Sequence, residues 1–393
     1  MMLHFLFWLT IGIVLYTYCI YLLVLWILCV KREKNNSPEN NISQLPEVTI
    51  VIAAHNEEKY ILAKYQNTLA LNYPSGKLFQ LWSEDGSTDG TKEVLGKLKN
   101  ISFISNPERV GKAQSINNAM KLVKTPITVF TDANTYLSKN SIIDLVKHFE
   151  NPEVGCVSGQ KKIKWDDADA LASKGEGIYW SFESFLKKVE SCSGSTVSGA
   201  GELYAIRTNL FKPLPVNTIL DDFEISASII KQGYKVKYEN GAVASETGSL
   251  TVEDEKKRKV RIAAGCFQAL GRHTYLLNPF KNTEVAFKFF SHKLLRWVLV
   301  PPAIVGAPFL NAAILLLYPD SSIIYLASML TITFFYLLVA IGYLFRNRSN
   351  VHPVVTFPYY GFMMNITMLK GLIIFLTGKQ THIWEKANRK ADI

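Results

Sequence analysis

The residues with the most chemical promise lie in short turns that end β-branched and apolar runs. Ala54-His55-Asn56-Glu57 follows the run Val48 to Ala53, and the acidic turn Glu84 to Thr91 follows Leu78 to Trp82. Thr131-Asp132-Ala133-Asn134-Thr135 ends a third such run, which starts at Ile127. Small residues such as Ala54 let the backbone approach a ligand, although Asn56 and Glu57 are also what a helix N-terminus uses as caps. A single acidic turn rich in Gly, Ser and Thr, such as the one around Asp85, is by itself only a turn. Oxygen ligands on alternate residues at a strand end, as at Asp132 and Asn134, suit Mg²⁺ or Mn²⁺ when diphosphate and water fill the remaining positions. Acidic turns at successive strand ends therefore point to one shared site. Asp221 and Asp222 open a helical stretch further on, where a carboxylate caps the first turn and favours the dipole whatever else it does.

The elements that must position these residues alternate strand and helix. Strands are predicted over Val48 to Ala53, Leu78 to Trp82, Ile101 to Ser105 and Ile127 to Thr131, with helices over Glu57 to Leu71, Thr88 to Leu98, Gly111 to Val123 and Ser138 to Phe149. Such alternation implies a parallel sheet with helices on both faces. Ligands bind beyond the carboxyl ends of such strands, which is where the acidic turns lie. From Gly155 to Ser249 the pattern mixes strands with helices over Asp167 to Val189 and Asp222 to Gln232.

The chain has 393 residues, 48% of them hydrophobic, and the apolar residues concentrate at its two ends. The run from Met1 to Val30 carries no Asp, Glu, Lys or Arg and exceeds the ~20 residues that a spanning helix needs. A cleaved signal peptide would have a basic start and a small-residue cleavage site, so a retained anchor is expected. Lys31, Arg32 and Lys34 then place the following chain on the cytoplasmic side. Trp297 to Tyr318 and Ile323 to Phe345 read as two more spans, with Arg346 and Arg348 marking a cytoplasmic return. The last apolar stretch, Val354 to Leu376, contains Pro358 and Lys370 and precedes a basic tail, so part of it is expected to be re-entrant or to lie along the interface. Val252 to Arg272 and Thr283 to Leu295 read as amphipathic helices suited either to the cytoplasmic membrane face or to packing on the soluble domain.

Net charge is +10, but the basic patches lack the interleaved aromatics that stack on bases. Anionic lipid or sugar phosphates fit better than nucleic acid. The five cysteines are widely spaced with no CxxC pair, so neither a zinc site nor a disulfide framework is expected.

Taken in order, Ile52-Ala53-Ala54-His55-Asn56-Glu57-Glu58, Asp85 in Asp-Gly-Ser-Thr-Asp-Gly-Thr, Arg109-Val110-Gly111-Lys112-Ala113, Asp132-Ala133-Asn134 and Asp221-Asp222 resemble the motifs of membrane-bound family 2 glycosyltransferases. That group has a GT-A fold and includes cellulose, chitin, hyaluronan and poly-N-acetylglucosamine synthases. The resemblance runs from Val48 to about Gly271. It implies a Rossmann-like mixed sheet in a cytosolic domain held between N-terminal and C-terminal transmembrane helices. It also implies that Ala54, His55, Glu57, Asp85, Lys112 and Asp132 bind a UDP-sugar, that Asp132 and Asn134 hold Mg²⁺ or Mn²⁺, and that Asp222, beside Asp221, is the general base. Asn134 stands where the family has a second aspartate. Arg258-Lys259-Val260-Arg261-Ile262 resembles the Gln-x-x-Arg-Trp acceptor motif, with isoleucine in place of the stacking tryptophan. Ser198 to Arg207 resembles the segment lining the acceptor pocket, which makes Glu202, with Arg258 and Arg261, the acceptor-side candidate; Trp384, Lys386 and Arg389 resemble a C-terminal feature of relatives.

The function so implied is inverting transfer of a hexose or N-acetylhexosamine to a glycan or lipid-linked acceptor at the membrane, in polysaccharide synthesis. Its closest rival is a single-sugar transferase acting on a lipid-linked acceptor. A transporter or scaffold with a nucleotide-binding domain would leave Asp221-Asp222 nothing to do beyond capping. A nucleotidyltransferase would need a Gly-rich, Lys-containing loop after the first strand, and Ala54 to Glu58 has neither. The expected organisation is an anchor over 1–30, a linker over 31–46, the catalytic domain over 47–250, interfacial helices over 251–296, two spans over 297–345 and a third apolar segment with basic tail over 346–393.

Overall fold

An eight-stranded sheet in the order β3-β2-β1-β4-β7-β6-β8-β5 organises the middle of the chain. Its strands are β1 (Val48–Ala54), β2 (Leu78–Asp85), β3 (Ser102–Asn106), β4 (Ile127–Asp132), β5 (Tyr136–Leu137), β6 (Val154–Lys164), β7 (Leu203–Arg207) and β8 (Lys235–Thr247). The structure is a computed structural model and describes residues 1–33, 44–164, 171–247, 252–320, 323–348 and 351–381. Most of the expected linker and the basic tail with Trp384, Lys386 and Arg389 lie outside the described residues.

Among the described residues thirteen α-helices accompany the sheet: α1 (Met2–Leu15), α2 (Tyr21–Glu33), α3 (Glu58–Leu69), α4 (Thr91–Lys97), α5 (Lys112–Met120), α6 (Ser141–Val146), α7 (Leu171–Cys192), α8 (Asp221–Lys231), α9 (Val252–Arg272), α10 (Thr283–Lys288), α11 (Val300–Leu317), α12 (Ile323–Leu344) and α13 (Pro353–Leu376). The strand-helix alternation expected for the first half is present, and β1 pairs in parallel with β2 and β4, as β2 does with β3. Every residue of β1 is buried because helices cover both faces. Ile50 and Ile52 join Trp82 and Val129 on one side, while Val51 joins Ile116, Phe130 and Phe223 on the other. Beyond β4 the sheet turns mixed, with β7 antiparallel to both β4 and β6 and β8 parallel to β6.

Register decides which turns meet. Ala53 pairs with Ser83 on one side and with Asp132 on the other, so the ends of β2, β1 and β4 lie level. With neighbouring strands ~4.8 Å apart, groups at the ends of β2 and β4 stand roughly 10 Å from each other, about the reach of a nucleoside diphosphate.

Among the described residues four helical segments are long and apolar enough to cross a bilayer: Met2–Lys31, Thr283–Leu317, Ile323–Leu344 and Pro353–Leu376. The amphipathic stretch expected over Thr283 to Leu295 is not separate from the span after it. The two form one helical run, with a π-type segment from Phe289 to Leu299. At the far end of α11 and α12, Phe7 clusters with Ile314 and Tyr325, while Trp8 and His4 meet the Tyr325 hydroxyl at 3.0 and 2.8 Å.

Val354 to Leu376, part of which is expected to be re-entrant or interfacial, belongs to the continuous helix α13. Its N-terminal half packs antiparallel on the C-terminal half of α12. Tyr359 packs on Gly342 and Phe362 on Tyr336 in the C-terminal half of α12, and Met368 clusters with Trp297 and Val298 just before α11. Because α11 and α12 are joined by a short turn, these contacts all lie toward one end of the pair. α13 also runs along α9, through Tyr360 with Glu255, Gly371 with Ala263 and Phe375 with Phe267. A Cβ at Gly371 would sit 2.4 Å from the Ala263 Cβ, whereas one at Gly361 would meet nothing within 4 Å. Gly371→Leu is therefore expected to destabilise the protein by about 1–3 kcal/mol through overpacking, and Gly361→Leu by much less. Thermal melts of the two variants in detergent check this; equal melting temperatures would remove α13 from α9.

The expectation of no disulfide is overturned at one place. Cys29 of α2 and Cys192 at the end of α7 are bonded, their Cα atoms 5.2 Å apart. At a sequence separation of 163, spacing gives no hint of this pairing. Tertiary structure supplies it by laying α2 on α7, where Tyr21 and Leu25 cluster with Leu186 and Val189.

Candidate active site

The turns after β1 and β2 are zipped together. Asn56 takes a left-handed conformation at φ 54°, and its side-chain oxygen accepts the Thr88 amide at 2.8 Å. The Ser87 hydroxyl accepts the Asn56 amide at 3.0 Å, and the Thr91 hydroxyl accepts that of Glu57 at 2.8 Å. His55 Nδ1 lies 2.7 Å from the Asp85 carbonyl oxygen. Ala54, His55 and Glu57 thus stand buried beside Asp85, as the motif order requires.

Asp85 has a positioning role that its motif does not reveal. Its two carboxylate oxygens accept the amides of Val110 at 2.9 Å and Gly111 at 3.0 Å, fixing the loop that launches α5. Gly86, at φ 58°, makes this docking feasible, since a Cβ there would sit 2.5 Å from the Arg109 amide nitrogen. Lys112, the first residue of α5, is aimed by this clamp.

The Lys112 ammonium is where the distant acidic motifs meet. It lies 2.9 Å from Asp132 Oδ1 at the end of β4 and 3.3 Å from Asp221 Oδ2 at the start of α8. Burial would push this lysine down, but Asp132, Asp221 and Asp222 outweigh it and hold the ammonium above its ordinary value. Asp221 and Asp222 both titrate above the usual aspartate range, chiefly because they are buried. Glu202 raises Asp222 further, while Lys112 and Lys187 oppose the shift. A small cavity beneath Lys112 is lined by Ile116, Phe130, Thr131, Asp132 and Gly201.

Gly201 closes over Asp222, where a Cβ would come within 3.5 Å of the carboxylate. Lys187 of α7 holds this loop by donating to the Gly199 carbonyl at 2.7 Å.

The acceptor-side candidates divide. Arg261 lies within electrostatic reach of Asp221 and Asp132 and belongs with the first cluster; burial, the largest influence, lowers it. Glu202 and Arg258 belong to a second cluster, in which Glu202 pairs with Lys161, and Lys161 also lies 2.5 Å from Glu246. Arg258 pairs with Glu176 of α7 and, at 3.1 Å, with Glu255 of its own helix. Asn134 is half-buried like Asp132, two residues earlier, with buried Ala133 between them.

Besides Lys161, Glu176 and Lys187, Trp180 and Lys64 escaped the sequence reading. Trp180 of α7 has the Lys161 ammonium 4.7 Å from its ring and those of Lys259 and Lys187 at 5.7 and 5.9 Å. Lys64 of α3 is completely buried and donates to the Thr131 hydroxyl at 3.0 Å and the Thr135 carbonyl at 2.8 Å, bracing the Asp132 turn from below. Burial pushes its ammonium down to about 7, against the pull of Asp132. Neither residue has a sequence signal, because an isolated Trp or Lys on a helix looks like core or solvated surface.

Among the described residues no group of three or more His, Cys, Asp or Glu side chains converges to hold a metal ion. The oxygen donors around the Lys112 ammonium nevertheless form a cation position, and oxygen is what Mg²⁺ and Mn²⁺ take when substrate phosphates complete the shell.

A sheet of this order, with acidic turns collected at its carboxyl edge and apolar helices at both chain ends, is the GT-A type. Residues 127–345 match Glycosyl transferase family group 2 and residues 49–204 match Glycosyl transferase family 2; the chain belongs to the family 2 glycosyltransferases and is an enzyme of that class. It is 26% identical over 275 residues to poly-beta-1,6-N-acetyl-D-glucosamine synthase of Staphylococcus aureus, an alignment covering 66% of this chain and 63% of that one. The match thus spans less than two thirds of that relative's length. Beta-monoglucosyldiacylglycerol synthase of Nostoc is 28% identical over 166 residues, 40% of this chain and 34% of that one. Among solved structures, the mannosyltransferase PcManGT from Pyrobaculum calidifontis, in complex with GDP-Man and Mn²⁺, superposes with a TM-score of 0.70 over 95% of this chain and 100% of its own, at 20% identity. That likeness bears on the fold alone.

Proposed function

We propose that this chain is an inverting, divalent-metal-dependent transferase that moves a hexose or N-acetylhexosamine from a UDP-sugar to a glycan or lipid-linked acceptor at the cytoplasmic membrane face. The observation that carries the reading is the meeting of Asp132 and Asp221 on one cation, with Asp222 adjoining and Asp85 behind the same loop. The nucleotide lies along the ends of β1 and β2, against Ala54, His55, Glu57 and Asp85. Asp132, with Asn134, holds the metal, which when bound neutralises charge on the leaving diphosphate. Lys112 adds positive charge at that diphosphate. Asp222 takes the proton from the acceptor hydroxyl as it attacks the anomeric carbon from the face opposite the nucleotide, and its raised pKa suits a base. Glu202, Arg258 and Arg261 bind the acceptor side.

In this reading the organisation is that expected from sequence, except that the segment from Thr283 continues into the span after it, and α9 and α13 lie along the inner membrane face. Contacts of α13 toward one end of α11 and α12 support this, as does the basic tail that follows it. Both chain segments flanking the catalytic domain then stay cytoplasmic.

Single transfer is a second reading with an observation in its favour. Ile262, at the position of the stacking tryptophan, packs in an apolar cluster with Met368 and Trp297. An isoleucine there offers no sugar-stacking face. One assay addresses both readings: membranes containing the protein, radiolabelled UDP-sugars, and Mn²⁺, Mg²⁺ or EDTA. One UDP-sugar is expected to label product only with metal present, a ladder marking the synthase and one added sugar the single transferase. Absence of UDP-sugar turnover, or full activity in EDTA, would overturn the proposal.

A further inference from the structure

The two carboxylate oxygens facing Lys112 are unusual in their surroundings. Asp132 Oδ1 and Asp221 Oδ2 are shut off from solvent, and among the described residues neither accepts a hydrogen bond from another group. Buried side-chain oxygens ordinarily have at least one hydrogen-bond donor. Here a single ammonium, 2.9 and 3.3 Å away, serves both. Asp222 adjoins but is acted on by Lys187 as well as Lys112, Asp132 also acts on Lys64, and Arg261 reaches the cluster at longer range. The two oxygens in direct contact with Lys112 are therefore the seat for which a divalent ion would have to compete.

We infer that Lys112 is a placeholder cation, seated between Asp132 and Asp221 in the ligand-free enzyme and displaced when donor nucleotide and metal bind together. The inference rests on the nucleotide and metal reading given above and adds a linkage to it. A divalent ion and an ammonium cannot share Asp132 without strong repulsion, because both would lie within about 3–4 Å of each other in a poorly screened site. The metal alone must therefore compete with Lys112. A donor diphosphate removes the competition by offering the ammonium a new anionic partner. Lysine suits this exchange, having a compact charge on a flexible four-carbon stem. Its backbone stays fixed, since Asp85 clamps the Val110 and Gly111 amides directly before it. The carboxylate at the end of β2 thus sets the pivot about which the placeholder swings.

Linkage is reciprocal, so UDP must tighten the metal by the same factor as the metal tightens UDP. The test uses the full chain purified in detergent and follows Mn²⁺ by the loss of its free-ion EPR signal, with and without UDP, corrected for Mn²⁺ held by free UDP. Wild type is expected to bind Mn²⁺ alone weakly and at least about 10-fold more tightly with UDP. Lys112→Met is expected to bind Mn²⁺ alone at least about 10-fold more tightly than wild type, with the added effect of UDP much reduced. Lys112→Arg, which keeps the charge, should leave Mn²⁺ alone weak. Should methionine prevent folding, judged by melting and size exclusion, Lys112→Gln gives the same reading. The placeholder is overturned if the neutral variant binds Mn²⁺ alone no better than wild type, or if the UDP effect persists undiminished in it. A wild type that binds no UDP at all would instead overturn the donor assignment under Proposed function.

Discussion

Replacing Asp222 by Asn is expected to lower the transfer rate by roughly 10³-fold while leaving UDP affinity within about 3-fold of wild type. Asn keeps the size of the side chain but cannot accept a proton. UDP binding should survive because Asp85 and its loop, which meet the nucleotide in this reading, are held by amides that do not involve Asp222. The pH profile carries the same information. Burial first, and Glu202 second, raise the Asp222 carboxyl, so the acid limb of wild-type kcat/KM should lie above the ~3.9 of a free aspartate. A folded pKa raised above the unfolded value means that the ionised form opposes folding, and stability on this account grows as pH falls through the raised value. Asp222→Asn should accordingly melt no lower than wild type at neutral pH while losing turnover. Retained turnover in the detergent-solubilised variant would remove Asp222 from the base role.

The second large effect concerns stability, where α2 and the segment before α11 meet α7. Glu183 of α7 is buried and accepts from Arg296 Nη1 at 2.8 Å, with His292 Nε2 at 3.1 Å and Lys293 Nζ at 3.4 Å. Glu190, two turns on, takes His292 Nδ1 at 2.8 Å, the Tyr21 hydroxyl at 2.7 Å and the Thr196 hydroxyl at 2.8 Å. Residues from α2, α7 and the segment before α11 therefore share one buried polar cluster. Glu183→Ala leaves Lys293 and Arg296 buried without their main counter-charge, and destabilisation by about 3–5 kcal/mol is expected. Burial alone would raise Glu183, but Lys293, His292 and Arg296 hold it well below the usual carboxylate range. Its contribution is therefore present above the unfolded value near 4.3 and is lost as pH falls below it. Melting curves in detergent at neutral pH and near pH 4 check both parts. A variant that melts with wild type at neutral pH would show that this cluster does not hold anchor and domain together.

How far the site could be read without coordinates depends on the distance over which each residue acts. Asp85 and Asp132 were legible because strand ends can be counted from local periodicity and because a parallel sheet gathers its carboxyl ends at one edge. Asp221-Asp222 was legible only through its motif, since the order of the strands beyond β4 is not written in spacing. β7 enters antiparallel between β4 and β6, and its preceding loop brings Gly201 onto Asp222. The anchor and the apolar ends followed from composition. The meeting of Cys29 with Cys192 did not, nor did the course of α13, because both rest on which helix faces pack together.

By itself, the amino-acid sequence determined the family, the alternating elements of the first half, the stretches long and apolar enough to cross a membrane and the identities of the acidic residues. All of these depend on interactions within a few residues: pleat and helix periodicity, turn chemistry and apolar length. Only the tertiary structure decided that Asp132 and Asp221 share the Lys112 ammonium, that Asp85 aims that lysine through backbone amides, and that Lys64 and Trp180 stand behind the site. Those outcomes come from strand register and helix docking, where residues far apart in the chain are brought together by burial of apolar faces that many other sequences would bury equally well.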